Sequence, residues 1–286
     1  MGKQRYKCNV CNYVFENNRR VTNTEKQQLW IDYSRQKQTY KSLSGKHKKS
    51  LQPIQKYLDF VKVDIPLIKP HPTVIIMDTS YFGSFGVMVF RDSYKRENLL
   101  WNFVAHENLH FYISGINKLK SMGWEILAIV CDGKRGLFKA FNTIPVQMCQ
   151  FHQAAIIRKY ITKNPRMPAA IELKEITSLM KQTDKESFEG ALNEWHDRWK
   201  TFLNERTINQ ETGKSFYTHK RLRSAYRSLR TNLKWLFTWY DYIELGIPNT
   251  TNAIDGHFSD LKNKLRNHNG LSRKRKIKFI DEFLKA

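Results

Sequence analysis

The spacing of apolar residues changes twice along the chain. Between residues 23 and 58 it is helical: Leu29, Trp30 and Tyr33 in one segment, Tyr40 and Leu43 behind Thr39 in a second, Ile54, Tyr57 and Leu58 in a third, with Gly45 offering a turn. Two or three short helices are predicted. Helix, short turn and a helix bearing basic residues is the layout of a helix-turn-helix for the major groove, and it also describes an ordinary small helical bundle. Pro66-Leu-Ile-Lys-Pro-His-Pro72 breaks any helix and reads as a linker.

Beyond the linker the apolar residues run together. Thr73 to Met77 is a buried strand ending at Asp78, and Phe85 to Phe90 and Leu99 to Val104 are further strands. Leu109 to Met122 carries Phe111, Ile116 and Leu119 at helical spacing and closes at Gly123; Ile126 to Val130 is another buried strand, ending at Cys131-Asp132-Gly133. A short helix over 137–141 and a short strand over 146–149 bring the chain to His152. Strands and helices in this order predict an α/β domain with a mixed central sheet. From 154 to about 240 the spacing is helical again and rich in aromatics, among them Trp195, Trp199, Phe202, Trp235, Phe237 and Trp239. Leu222, Tyr226, Leu229 and Leu233 form an apolar stripe there, and Arg223, Arg227, Arg230 and Lys234 follow it one residue later, so one helix buries a stripe and offers a row of cations. Such a row suits phosphates along a nucleic-acid backbone. Lys262 and Arg266, further along, are added as DNA contacts.

Charge narrows the partner. Of 286 residues, 49 are Lys or Arg and 26 Asp or Glu, a net +23 that opposes a compact state and points to a polyanion. Nucleic acid comes first and an anionic membrane second. The membrane reading is weakened because no apolar run approaches the roughly 18 residues a bilayer requires, and the charged, polar start does not resemble a secretory leader. Four cysteines, with one Cys-x-x-Cys pair, fit a reducing cytosol better than a disulfide framework. That pair, Cys8 and Cys11 in Arg-Tyr-Lys-Cys-Asn-Val-Cys-Asn-Tyr-Val-Phe, is half of a zinc knuckle. A closed zinc site takes about four ligands, so the pair reads as a remnant that would bind Zn²⁺ only with borrowed ligands or by dimerising.

Candidate chemistry lies in the acids. Asp78 and Asp132 each follow a buried strand, where a sheet presents side chains to a cleft. Side by side, two carboxylates repel unless a cation joins them, and oxygen donors favour Mg²⁺ or Mn²⁺. Asp255 lies in the first turn of a helix opened by Thr251 or Asn252, beside a stripe of Ile254, Phe258, Leu261 and Leu265. From spacing alone, Asp255 is equally a third metal ligand or a favourable helix-start residue.

Four stretches occur in an informative order: Met-Asp78-Thr-Ser-Tyr-Phe, Cys-Asp132-Gly-Lys-Arg-Gly-Leu, Gln-Met-Cys149-Gln-Phe-His152, and Asn-Thr-Thr-Asn-Ala-Ile-Asp255-Gly. Together they resemble the DDE transposases of bacterial insertion sequences, in the group related to Mutator-like elements, over nearly the whole chain. The resemblance implies a ribonuclease-H-like core with a mixed sheet, interrupted by an all-helical insertion and preceded by a small helical DNA-binding module. It divides the chain into a partial knuckle (1–20), a helix-turn-helix-like module (21–62), the first part of the core (73–153), the insertion (154–245) and C-terminal helices completing the core (246–286). It further implies that Asp78, Asp132 and Asp255 hold two Mg²⁺ or Mn²⁺ ions about 3.5–4 Å apart for in-line phosphoryl transfer, with His152 stabilising charge or positioning the third acid. The expected partner is double-stranded DNA, both terminal inverted repeats and target, bound by a homodimer or larger assembly in the bacterial cytoplasm at the nucleoid. Two departures stand out: the third acid of the family is usually Glu, one methylene longer than Asp255, and its zinc ribbon usually has two Cys pairs. They leave a second reading, a decayed or adopted transposase that binds DNA without cutting it.

Overall fold

The computed structural model describes residues 5–16, 21–134 and 136–285. By contact the chain forms two units, residues 1–66 with 261–286, and residues 67–260.

The first unit opens with an antiparallel hairpin of β1 (Arg5–Lys7) and β2 (Val14–Glu16). Its turn carries Cys8 and Cys11, both free thiols, and is closed by Cys8 N–H donating to Tyr13 O at 2.8 Å. Residues 1–4 and 17–20 of the expected knuckle segment lie outside the described residues. Where two or three short helices are expected there are three: α1 (Asn23–Ser34), α2 (Tyr40–His47) and α3 (Leu51–Phe60). α1 starts on a capping box in which the Thr22 hydroxyl accepts from Glu25 N–H and the Glu25 carboxylate accepts from Thr22 N–H. Gly45 is not the turn; α2 runs through it and ends at Lys48, which takes a left-handed conformation (φ 47) and returns its N–H to Gly45 O.

In the second unit, β3 (Thr73–Tyr81), β4 (Gly86–Asp92) and β5 (Asn98–Val104) form an antiparallel meander. α4 (Leu109–Ser121) then crosses to β6 (Ile126–Cys131), parallel to β3, and the short α5 (Leu137–Ala140) leads to β7 (Val146–Met148), parallel to β6. The sheet order is β5-β4-β3-β6-β7, a five-stranded mixed sheet as expected. Its strands are Val- and Ile-rich because both faces are buried. α4 lies so close to one face that a Cβ on Gly115 would stand 2.1 Å from the Phe90 ring. Only glycine allows that approach, which packs Tyr112, Ile116 and Leu119 onto Ile75, Met77 and Ile129.

The helical layer consists of α6 (Gln150–Ile161), α7 (Pro168–Leu179), α8 (Lys185–Asn204), α9 (Lys220–Leu236) and the short α10 (Thr238–Asp241), around Trp195, Leu192, Leu229 and Phe237. It is not wholly helical. Between α8 and α9 stands a hairpin of β8 (Arg206–Ile208) and β9 (Ser215–Tyr217), turning at Gly213 (φ 63). β-Branched and aromatic residues flanking a turn glycine favour strands locally, and the aromatic helical spacing on either side hid them. α11 (Asn252–Arg266) and α12 (Arg273–Leu284) end the chain.

The unit boundary falls within α11, so residues 261–286 group with the N-terminal helices, whereas the sequence reading placed all of 246–286 with the core. The physical reason is α12: its buried Phe279, Ile280 and Leu284 need apolar cover, and Tyr33 of α1 stacks edge-on to Phe279 at 6.1 Å. Glu282 fastens the same helix, accepting from the Trp30 indole at 2.9 Å and from Arg35 at 3.0 Å.

Candidate active site

Asp78 does not end its strand. β3 continues three residues beyond it, because the ladder with β4 goes on through Asp78↔Val89 and Thr79↔Met88 to Tyr81↔Gly86. The apolar run stops at Met77 while the hydrogen bonding does not. Asp132 does directly follow β6, which closes at Cys131. The parallel register sets Ile76 against Val130; Asp78 lies two residues further along β3 and Asp132 two residues beyond Val130, just past the end of β6, near enough that the charge of Asp132 acts on Asp78. Lys134 N–H donates to Asp132 Oδ1 at 3.0 Å, and Gly133 (φ 87) makes the turn that allows it. A Cβ on Gly133 would meet the Met148 side chain at 2.6 Å, so the turn needs glycine on two counts.

Two helix starts complete the site. Cys149 caps α6, which places His152 in its first turn, and Thr251 precedes α11, which places Asp255 in its first turn. Gln150 N–H donating to Asn249 O at 2.9 Å ties these two starts together. The Thr251 hydroxyl, fully buried, is the hub: it lies 3.1 Å from Asp255 Oδ2, 3.3 Å from Cys149 Sγ and 3.5 Å from His152 Nδ1. It has one proton, so it donates to either the carboxylate or the sulfur while its lone pairs face the imidazole. From sequence, Thr251 is only one of two residues that could open the helix.

A second set of residues borders the acids. Glu107, in the loop after β5, accepts from the Tyr112 hydroxyl at 2.9 Å and pairs with Lys134 at 3.2 Å, and Tyr112 also meets the Thr79 hydroxyl at 2.9 Å. Glu107 was not anticipated, since a loop acid carries no periodic signal.

Electrostatics set these groups apart. Burial, reinforced by the charges of Asp132 and Asp255, pushes the Asp78 carboxyl up to about 7. Burial and the nearby Glu107 raise Asp132. His152 is raised to about 9, first by its hydrogen bond to the Cys149 thiol and then by the charges of Cys149, Asp78 and Asp132. Burial opposes ionisation of Cys149, but hydrogen bonds from His152 and Thr251 outweigh it and bring the thiol below its usual range. Among the described residues, no Lys or Arg forms an ion pair with Asp78, Asp132 or Asp255. Hard oxygen donors without an ion-paired Lys or Arg, two of them raised by burial, suit a divalent metal ion, although no three described His, Cys, Asp or Glu side chains are already gathered at single-ion spacing.

Over residues 87–234, just over half its length, the chain matches the family described as Transposase, Mutator family. It belongs to the Mutator family of transposases. The matched span holds Asp132, Cys149, His152 and the α9 cations; Asp78 and Asp255 lie on either side of it. No curated protein matches this Mutator-family chain. Among solved structures, a chain of the cryoEM structure of the simian T-cell lymphotropic virus intasome in complex with PP2A regulatory subunit B56 gamma is similar at 11% identity and a TM-score of 0.23, covering 68% of this chain and 73% of that one. A likeness that low carries no argument here.

The cations expected to meet DNA are not equivalent in this transposase. On α9, Arg223 stacks over Tyr217 at 3.6 Å and donates to Leu203 O at 2.8 Å, and Arg230 pairs with Glu189 at 2.9 Å. Arg227 and Lys234 are exposed, and Arg223, Arg227 and Arg230 line a cavity of about 180 Å³ with His196 and Tyr226. Arg266 donates to Asn263 Oδ1 at 3.2 Å. Lys262 is an exposed residue of α11. At the knuckle, backbone N–H groups of Cys11 and Val10 aimed at the sulfur lower Cys8. The hairpin supplies two thiols, and the described residues do not complete the four ligands of a zinc site.

Proposed function

We propose that this transposase cuts and rejoins DNA at the ends of its mobile element, with Asp78, Asp132 and Asp255 as the metal-holding acids. The observation that carries the reading is that the parallel β3–β6 pairing brings two partly buried carboxylates without an ion-paired Lys or Arg close together, Asp78 on β3 and Asp132 just past β6. The strand order β5-β4-β3-β6-β7, an antiparallel meander extended by two parallel strands, supports a ribonuclease-H-like core. The helical layer from α6 to α10 supports an insertion placed between the second and third acids.

Bound by these acids, two Mg²⁺ or Mn²⁺ ions would activate the attacking oxygen and stabilise the leaving one. The protein's own groups then have separate tasks. The carboxyl pair provides the negative field that retains the cations, and Thr251 holds the Asp255 carboxylate by its Oδ2. His152, cationic at neutral pH, stands beside these acids where a phosphate's growing charge would lie. Arg227 and Lys234 engage the phosphates of flanking or target DNA, and α1–α3 read the terminal repeats. Bringing two ends together calls for a dimer or larger assembly.

The test is strand nicking and joining on duplexes carrying the element's ends, with and without Mg²⁺. Asp78→Ala, Asp132→Ala and Asp255→Ala are each expected to cut activity about a thousandfold or more while keeping duplex affinity. Cleavage surviving in Asp78→Ala would sink the assignment, and normal cleavage in Asp255→Ala alone would remove the third acid. Tight duplex binding with no cleavage under any metal would establish instead a DNA-binding protein without catalysis.

A further inference from the structure

α6 presents two adjacent aromatic rings to different surroundings. His152 faces the acids. Phe151, about 100° around the helix, is 42% exposed and lines a separate pocket of about 300 Å³ between α6 and α7. That is the lower end of ordinary ligand-site size. Its wall includes Gln150, Met180 and three cations, Arg158, Lys174 and Lys181, and no acid.

Each feature has a chemical meaning. Arg158 and Lys181 stand over the Phe151 ring at 5.7 Å and 5.6 Å, near the outer limit of a cation–π contact, and among the described residues neither pairs with a carboxylate. They are held loosely enough to turn toward an anion. Met180 and the exposed ring supply an apolar slot. Gln150 is fully buried; its amide N–H donates to Leu236 O at 2.9 Å, and its Oε1 has no hydrogen-bond partner among the described residues. That amide is held toward Leu236, so Gln150 forms part of the fixed wall. A flat ring, an apolar slot and two anion-seeking cations describe a receptor for one nucleotide: base on Phe151, phosphate to Arg158 and Lys181, with Lys174 held by Lys163 O at 2.8 Å. Stacking on an aromatic ring within a cationic groove is how unpaired strands are gripped without sequence preference.

We propose that this pocket receives a single unstacked nucleotide of the DNA strand, drawn out of the duplex beside the reacting phosphate. The inference rests on the transposase reading, and it adds a subsite that the acids do not require. The position of Phe151 immediately before His152 sets the pocket next to the site, so a nucleotide held there anchors the strand entering it.

The experiment uses the full chain and two probes, an oligo-dT strand with one central 2-aminopurine and the same sequence as a blunt duplex. The parent chain should bind the single strand and quench its fluorescence. Phe151→Ala should weaken single-strand binding about tenfold to a hundredfold and abolish the quench, with duplex affinity changed less than about twofold. Phe151→Trp should restore both signals. Lys181→Ala, at an exposed position, should weaken single-strand binding and lower its salt dependence. Equal single-strand affinity for Phe151→Ala and the parent would overturn the proposal, as would an equal loss on both probes. The two readings fail separately. Normal nicking with a Phe151→Ala chain that still stacks 2-aminopurine removes the pocket alone. Phe151-dependent stacking in a chain that never nicks DNA supports the pocket and removes the catalysis.

Discussion

Two groups of carboxylates in this molecule meet opposite environments. In the N-terminal unit Asp32, Asp59 and Glu282 are surrounded by donors. Asp32, 2% exposed, takes hydrogen bonds from Gln28 and Lys46, both at 2.8 Å. Arg275 grips both oxygens of Asp59, at 2.9 and 2.7 Å, and holds its carboxyl below the usual range. Burial would push Glu282 up, but Trp30, Lys285 and Arg35 outweigh it and bring it down. In the other unit Asp78 and Asp132 have backbone N–H donors, neighbouring acids and no ion-paired cation among the described residues, and both are raised. Acids that hold a fold together are supplied with protein donors. Acids left short of them lower stability, a cost that a fold bears where an external cation is meant to complete the site.

The comparison breaks most sharply at Asp78. Its carboxyl titrates at about 7 folded against an ordinary 3.8, so the folded state binds the proton more tightly. The linked stability is therefore full below about pH 4 and lost as pH rises toward 7. Asp78→Asn should be more stable than the parent at pH 8 without metal, by about 2–4 kcal/mol, and the gap should close at pH 4. Millimolar Mg²⁺ should raise the Tm of the parent and not of Asp78→Asn. Parallel stability curves across that pH range would show that Asp78 is not the stressed group.

Glu282 should behave with the opposite sign. Its carboxyl is lowered, so its contribution is present above the ordinary Glu range and lost as pH falls through the folded value. Glu282→Gln should cost about 1–3 kcal/mol at pH 7, discounted because Arg35 is 55% exposed, and the deficit should fade in acid. Chemical denaturation at the two pH values measures both effects, and a deficit independent of pH would mean that Glu282 acts through packing.

Thr251 is the intermediate case, one protein hydroxyl given to a site acid. Thr251→Val keeps the branched shape and removes the donor to Asp255. Cleavage should fall about tenfold, the worth of one hydrogen bond to a charged group, with a higher Mg²⁺ requirement, while Thr251→Ser stays near the parent. Equal losses in Thr251→Val and Thr251→Ser would reduce Thr251 to a packing residue.

Several differences between the local sequence pattern and the fold share one cause. Asp132 was placed correctly because β6 stops where its apolar residues stop, whereas β3 is continued through Asp78, Thr79 and Ser80 by pairing with β4, a partner that local hydrophobicity cannot register. The β8–β9 hairpin was lost among helical aromatics for the same reason. Glu107 and the Thr251 hub were invisible because they matter through atoms distant in sequence, Tyr112 and Lys134 for one, Cys149 and His152 for the other.

What the sequence determined by itself is everything carried by neighbouring residues. It set the short N-terminal helices, the strand–helix alternation of the sheet, the cation row on α9, and the ordered motifs that mark a Mutator-family transposase, because periodicity and charge act within a few residues. The tertiary structure alone decided which groups meet. It brought Asp78 near Asp132, joined the starts of α6 and α11 at Thr251, gave α12 to the N-terminal helices, and opened the Phe151 pocket. Those outcomes depend on strand register and on which apolar surface covers which, and these are settled only when distant segments compete to be buried together.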